Sequence, residues 1–124
     1  MKITNTPTAP TAIGPYSQAI TTNGFIFCSG QIALTPEGEF RDESIEIQTR
    51  QVLENLREVL TASNSDFSKV IKTTIFLKEM DDFEKVNKIY AEFFGTSKPA
   101  RSTIAVANLP KNAKIEIEAV ALSS

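Results

Sequence analysis

Asn23-Gly24 stands between two runs rich in β-forming residues, 16–22 and 25–30, and no other dipeptide constrains the chain so strongly. A two-residue hairpin with a type I′ turn needs positive φ at both central positions, and Asn-Gly supplies it at least cost. The chain is therefore expected to open with β-structure. Residues 1–15 carry Pro7, Pro10 and Pro15 and read as an extended lead-in. Residues 31–34 read as a further short strand before the Pro36-Glu37-Gly38 turn.

From 46 to 62 the hydrophobic period changes. Ile45, Val52, Leu56, Val59 and Leu60, with Leu53 beside them, recur at helical spacing, and Gln, Glu and Arg fill the other face. Asp42 or Ser44 can cap this helix, and Asn64-Ser65-Asp66 ends it. Residues 70–77, VIKTTIFL, are dense in β-branched side chains and predict a largely buried strand. Asp81 and Glu84 have capping-box spacing, opening a second helix through Phe83, Val86, Tyr90, Phe93 and Phe94. Gly95 suits its C′ position and Pro99 bars continuation. Strands over 101–107 and 114–122, the latter after the LPKN turn, complete the order β-β-β-α-β-α-β-β.

A strand-helix-strand crossover implies parallel pairing. The expected fold is thus α+β: a mixed six-stranded sheet with two helices on one face, and 1–124 as a single domain. The other sheet face, with Phe76, Val120 and Leu122, is uncovered in one copy, which calls for self-association.

Composition narrows the chemistry. The 124 residues include no histidine and one cysteine, Cys28. A serine or cysteine relay through imidazole, an imidazole metal ligand, an intrachain disulfide and a CxxC metal knuckle are all ruled out within the chain. No cofactor or metal is expected. Thirteen basic against fifteen acidic residues leave no excess positive charge for a phosphate backbone, so no nucleic acid is expected as partner. No apolar run reaches the ~18 residues of a membrane span. The unpaired Cys28, with a start that lacks an apolar leader core, points to a reducing cytoplasm.

Several residues can carry chemistry. Arg101 opens a strand after Lys98-Pro99-Ala100, where a guanidinium fork matches a carboxylate; on that feature alone, a surface arginine paired with a glutamate is the commoner reading. Glu116, in Lys-Ile-Glu-Ile-Glu, can orient a water or accept a proton, or simply alternate on a solvated strand face. Ser29-Gly30-Gln31 permits close approach to a ligand, or marks a bulge. Tyr16 can place a phenol over a pocket or be a half-buried strand aromatic. Asn87 lies beside the second helix's apolar stripe and its amide needs a partner. Cys28 reads as a small buried hydrophobe.

Five ordered segments together carry a resemblance: AIGPYSQAI at 12–20, SGQI at 29–32, VIKTTIFL at 70–77, VNKIYAEFF at 86–94 and PARSTIAVANLPKNAKIEIEAVA at 99–121. From Pro7 to the C-terminus the chain resembles the RidA (YjgF) family. The resemblance implies a chorismate-mutase-like fold, three subunits in a barrel and clefts at their interfaces. It also implies a metal-free hydrolase, a deaminase that converts 2-iminobutanoate and 2-iminopropanoate from pyridoxal-phosphate enzymes into 2-oxo acids and ammonia. Under it Arg101 binds the substrate carboxylate and Glu116 positions the attacking water. Ser29, Tyr16, Asn87 and Thr103 line the site. Thr103 stands where family members often have cysteine, and Ala105 where many have glutamate. A ligand-responsive regulatory protein that keeps the carboxylate pocket and lacks turnover is the alternative.

Overall fold

In the computed structural model, which describes residues 1–123, the turn at Asn23-Gly24 closes β2 (Ala19–Thr22) onto β3 (Phe25–Gln31). Both turn residues have positive φ, 51° and 82°, as the sequence predicts. The helices follow the apolar stripes: α1 spans Ile45–Ala62 and α2 spans Phe83–Phe94. Ser44 caps α1, its hydroxyl accepting from the Ile47 amide at 3.2 Å. Gly95 ends α2 at φ 59°, a left-handed conformation that suits glycine. The remaining strands are β4 (Val70–Leu77), β5 (Ala100–Ala105) and β6 (Ile115–Leu122), with β1 (Lys2–Thr4) at the start.

The sheet runs β1-β2-β3-β6-β4-β5, antiparallel throughout except for the β4–β5 pair. Helix α2 is the crossover between those two parallel strands. Alternation separates the faces. Ile26, Cys28, Thr73, Ile75, Leu77, Ile115, Ile117, Ala119 and Ala121 are buried beneath the helices against Val52, Leu53, Leu56, Leu60 and Val86. Each such large aliphatic side chain contributes about 1.5–3 kcal/mol of transfer free energy. On the opposite face Phe25, Phe27, Ile104 and Leu122 are exposed, and Phe76 and Val120 are half-buried. Among the described residues no helix is long and apolar enough to cross a membrane.

Three expectations need correction. Residues 31–34 form no strand beyond Gln31; Leu34 makes one isolated bridge with Phe40. The buried Asn55 amide donates to the Ile32 carbonyl at 3.2 Å and the Leu34 carbonyl at 2.8 Å, doing for this loop what a neighbouring strand would have done. The sixth strand is instead β1, inside the lead-in, paired with β2 at the sheet edge. The capping box is absent: a 3₁₀ turn over Met80–Asp82 leads into α2, and Asp82 makes no side-chain cap bond.

Asn55→Leu should strand both carbonyls and cost about 1–3 kcal/mol. Hydrogen exchange should show residues 32–41 opening ahead of the sheet; uniform protection in the variant would contradict the pinning role.

Candidate functional site

Arg101 is the second residue of β5 and pairs in register with Thr73, so its side chain leaves the sheet on the helix-covered face, at the edge. There α2 meets it. One Nη1 proton goes to Asn87 Oδ1 at 2.8 Å. The guanidinium carbon lies 4.9 Å from the centroid of the Tyr90 ring and 5.3 Å from that of Phe83. Asn87 and Tyr90 are one helical turn apart on α2, which puts both side chains over the same strand end. Arg101 takes part in none of the ion pairs formed among the described residues. The surface-pair reading fails: an amide and two rings hold this guanidinium, leaving most of its donors unclaimed.

Beside it opens a concavity of about 440 Å³ whose walls include Asn87, Tyr90, Phe94, Ser97 and Lys98 as well as Arg101. No carboxylate lines it among the described residues. Such a surface suits an anion with an apolar tail. Thr103 follows two residues on, paired with Ile75, and so points to the same face as Arg101.

Glu116 is elsewhere. It pairs with Phe76 on β4, on the face that carries no helices. Its carboxylate packs over Gly30, where a Cβ would overlap it. Gly30 lies in the register shift between Cys28 and Gln31, so the bulge and the close approach are one feature. What approaches is Glu116 itself. Ser29, next along β3, donates its hydroxyl to the Ser17 carbonyl at 2.5 Å and its amide to the Gln18 carbonyl at 3.0 Å. These bonds tie β3 to the loop that carries Tyr16. Tyr16 precedes β2, is 54% exposed and lies over Gly14, which corrects its placement in a strand.

Burial, and then repulsion from Glu118, push the Glu116 pKa above the ordinary carboxylate value. Burial also raises the Tyr90 phenol, against the opposing effects of the Thr73 hydrogen bond and Arg101. Burial pushes the Cys28 thiol up to about 12, in keeping with its reading as a small core side chain. Among the described residues no three histidine, cysteine or acidic side chains gather where they could hold a metal.

The structure thus assembles Arg101 and Asn87, with Thr103 on the same face, into one cluster. Glu116 lies with Gly30 beside Ser29, which anchors the Tyr16 loop, in another. The two clusters occupy opposite faces of the sheet within one chain. Sequence reasoning missed Tyr90 and Phe83 as neighbours of Arg101, because aromatics at helical spacing read as core. It also missed what Gly30 accommodates.

Comparison with known proteins gives a consistent answer. The family described as Endoribonuclease L-PSP matches residues 6–123. The chain is 54% identical over 121 residues to the chloroplastic Reactive Intermediate Deaminase A of Arabidopsis thaliana, covering 97% of this chain and 65% of that longer protein. It is 43% identical to the human 2-iminobutanoate/2-iminopropanoate deaminase, over 98% of this chain and 89% of the relative. The crystal structure of Escherichia coli TdcF with bound serine superposes with a TM-score of 0.94 at 39% identity, over the whole of both chains.

A carboxylate whose pKa is raised in the fold stabilises its neutral form. The wild type therefore carries no penalty below the ordinary carboxylate range and loses stability as pH rises through the Glu116 pKa. Glu116→Gln should raise Tm relative to wild type more at pH 8 than at pH 4. A difference independent of pH, read by calorimetry at both values, would show that the carboxylate is not strained by its surroundings.

Proposed function

The chain belongs to the Endoribonuclease L-PSP family, also called YjgF or RidA, and on that premise we propose that it hydrolyses 2-iminobutanoate, 2-iminopropanoate and related 2-imino acids to 2-oxo acids and ammonia. The observation that carries this reading is an arginine held against two aromatic rings and an amide with no carboxylate partner among the described residues, facing a concavity that no described acidic side chain lines. A 2-imino acid offers what that cluster lacks: a carboxylate conjugated to an electrophilic C=N carbon.

The chemistry asks little of the protein. Arg101 takes the substrate carboxylate through two parallel N–H donors and fixes the plane of the C=N bond. Water attacks C2 of the iminium; one proton of that water passes to Glu116, whose elevated pKa suits a base that must also release the proton. The C2–O bond forms as the C–N π bond opens onto nitrogen. Glu116 returns that proton to the resulting amine, and ammonia leaves as the C2 hydroxyl gives its own proton back to Glu116 and the C2=O double bond forms. Thr103 and Asn87 border the carboxylate end, and Ser29 and Tyr16 border the end where water enters.

Arg101 and Glu116 lie on opposite sheet faces, so one chain cannot bring them to one substrate. A neighbouring copy packed on the uncovered face of Phe25, Phe27, Ile104 and Leu122 supplies the missing half. We take the assembly to be the homotrimeric barrel with the sites at subunit interfaces. It acts as a cytoplasmic enzyme with no resident cofactor.

The test follows the disappearance of enzymatically generated 2-iminobutanoate, trapped with semicarbazide, beside calorimetric binding of 2-oxobutanoate. Arg101→Lys should fail almost as badly as Arg101→Ala, since an ammonium cannot present two parallel donors. Losing that charge-assisted pair is worth roughly 1.5–3 kcal/mol, about one to two decades in kcat/KM. Glu116→Gln should lower kcat while 2-oxobutanoate still binds. Normal turnover in Arg101→Lys, or in Glu116→Gln, would remove the corresponding role, and wild type with neither turnover nor binding would remove the function.

A further inference from the structure

A bidentate clamp works only if its plane is set before the ligand arrives, and nothing on β5 itself sets the plane of Arg101. The neighbouring element does. The Tyr90 ring lies 4.9 Å beneath the guanidinium carbon and is itself held at both ends. Its hydroxyl shares a buried hydrogen bond of 2.7 Å with Thr73, the residue that pairs with Arg101 across the parallel β4–β5 ladder. Its ring stacks on Phe94 at 4.3 Å, with the planes 24° apart, and Phe94 abuts the Phe67 ring at 4.8 Å. Tyr90 is thus bolted to the same strand position it serves. Asn87 then removes the remaining rotation by accepting one Nη1 proton.

We propose that Tyr90 is a positioning residue: its ring, anchored by Thr73 and Phe94, presets the plane of the Arg101 guanidinium for a 2-imino or 2-oxo acid carboxylate. The proposal rests on the reading of Arg101 as carboxylate clamp given above. A guanidinium over an aromatic face is attracted to it by the ring quadrupole, and a ring that is itself fixed gives that attraction a fixed direction. Tyr90 touches no reacting atom. Its loss should therefore appear in binding and leave the proton transfer at Glu116 alone.

The test combines a signal from the guanidinium with a binding measurement. The chain has only four arginines, Arg41, Arg50, Arg57 and Arg101, so their Nε–H resonances are few, and Arg101→Lys identifies the one in question. In wild type without ligand, the Arg101 Nε–H should be displaced by the ring current and exchange slowly. In Tyr90→Leu it should move to the position of an exposed arginine. Tyr90→Leu should weaken 2-oxobutanoate binding and raise KM for the imine by roughly three- to thirtyfold, with kcat and the pH profile of kcat kept. Tyr90→Phe, which retains the ring and its stack on Phe94, should hold the Arg101 signal in place and recover most of the affinity. An unshifted, averaged Arg101 signal in wild type overturns the proposal outright, even if Tyr90→Leu does not fold. So does Tyr90→Leu binding as tightly as wild type. If wild type proves inactive on the imine and blind to 2-oxobutanoate, the deaminase reading falls, while the spectra still decide whether Tyr90 sets the plane.

Discussion

Period-two alternation along β4 and β6, an antiparallel pair inside the sheet, is the constraint from which the rest follows. Ile75 and Leu77 on one strand, and Ile115, Ile117, Ala119 and Ala121 on the other, must lie beneath the helices because they belong to the apolar set that completes the core, and Thr73 follows them by alternation. The residues between them have no choice of face. Glu116 is committed to the helix-free side by Ile115 and Ile117. Arg101, in register with Thr73, is committed to the helix side. A one-residue slip that would reunite the two groups on one face would also turn the core outward.

That separation gives each cluster its own environment. Arg101 gains aromatic neighbours and an amide acceptor from α2, which hold a permanent cation without neutralising it. Glu116 gains the opposite: partial burial, the like charge of Glu118, and a close fit over Gly30. The fold tolerates this destabilised carboxylate because the sheet beneath it is already closed by the helices. Residues that cost stability locally, within an otherwise satisfied framework, are the expected signature of a working site.

Much of the architecture was legible where local and tertiary preferences agree. Asn23-Gly24 has positive φ at both residues whatever surrounds it, and the α1 stripe leaves only one face to bury. Legibility failed where a partner decides. Lys2–Thr4 is a strand only because β2 offers an edge, and 31–34 leaves the sheet because Asn55, distant in sequence, takes its carbonyls. Asp81 and Glu84 have the right spacing for a capping box, yet a 3₁₀ turn enters the helix differently. At the site, Arg101 and Glu116 were ambiguous as isolated residues and gained roles only through the family resemblance. Tyr90 was hidden, since one aromatic at helical spacing serves the core with one side and the guanidinium with the other.

The central claim is that a working site joins Arg101 of one copy to Glu116 of another, and subunit mixing tests it most directly. Arg101→Ala and Glu116→Gln chains, each strongly impaired alone, are unfolded together in equal amounts and refolded. Random assembly leaves about a quarter of the interfaces with both residues intact, so roughly that fraction of wild-type imine turnover should return. If the mixture is no more active than its parents, although both variants co-assemble, the two residues act within one chain or not together, and the account of a divided site is wrong.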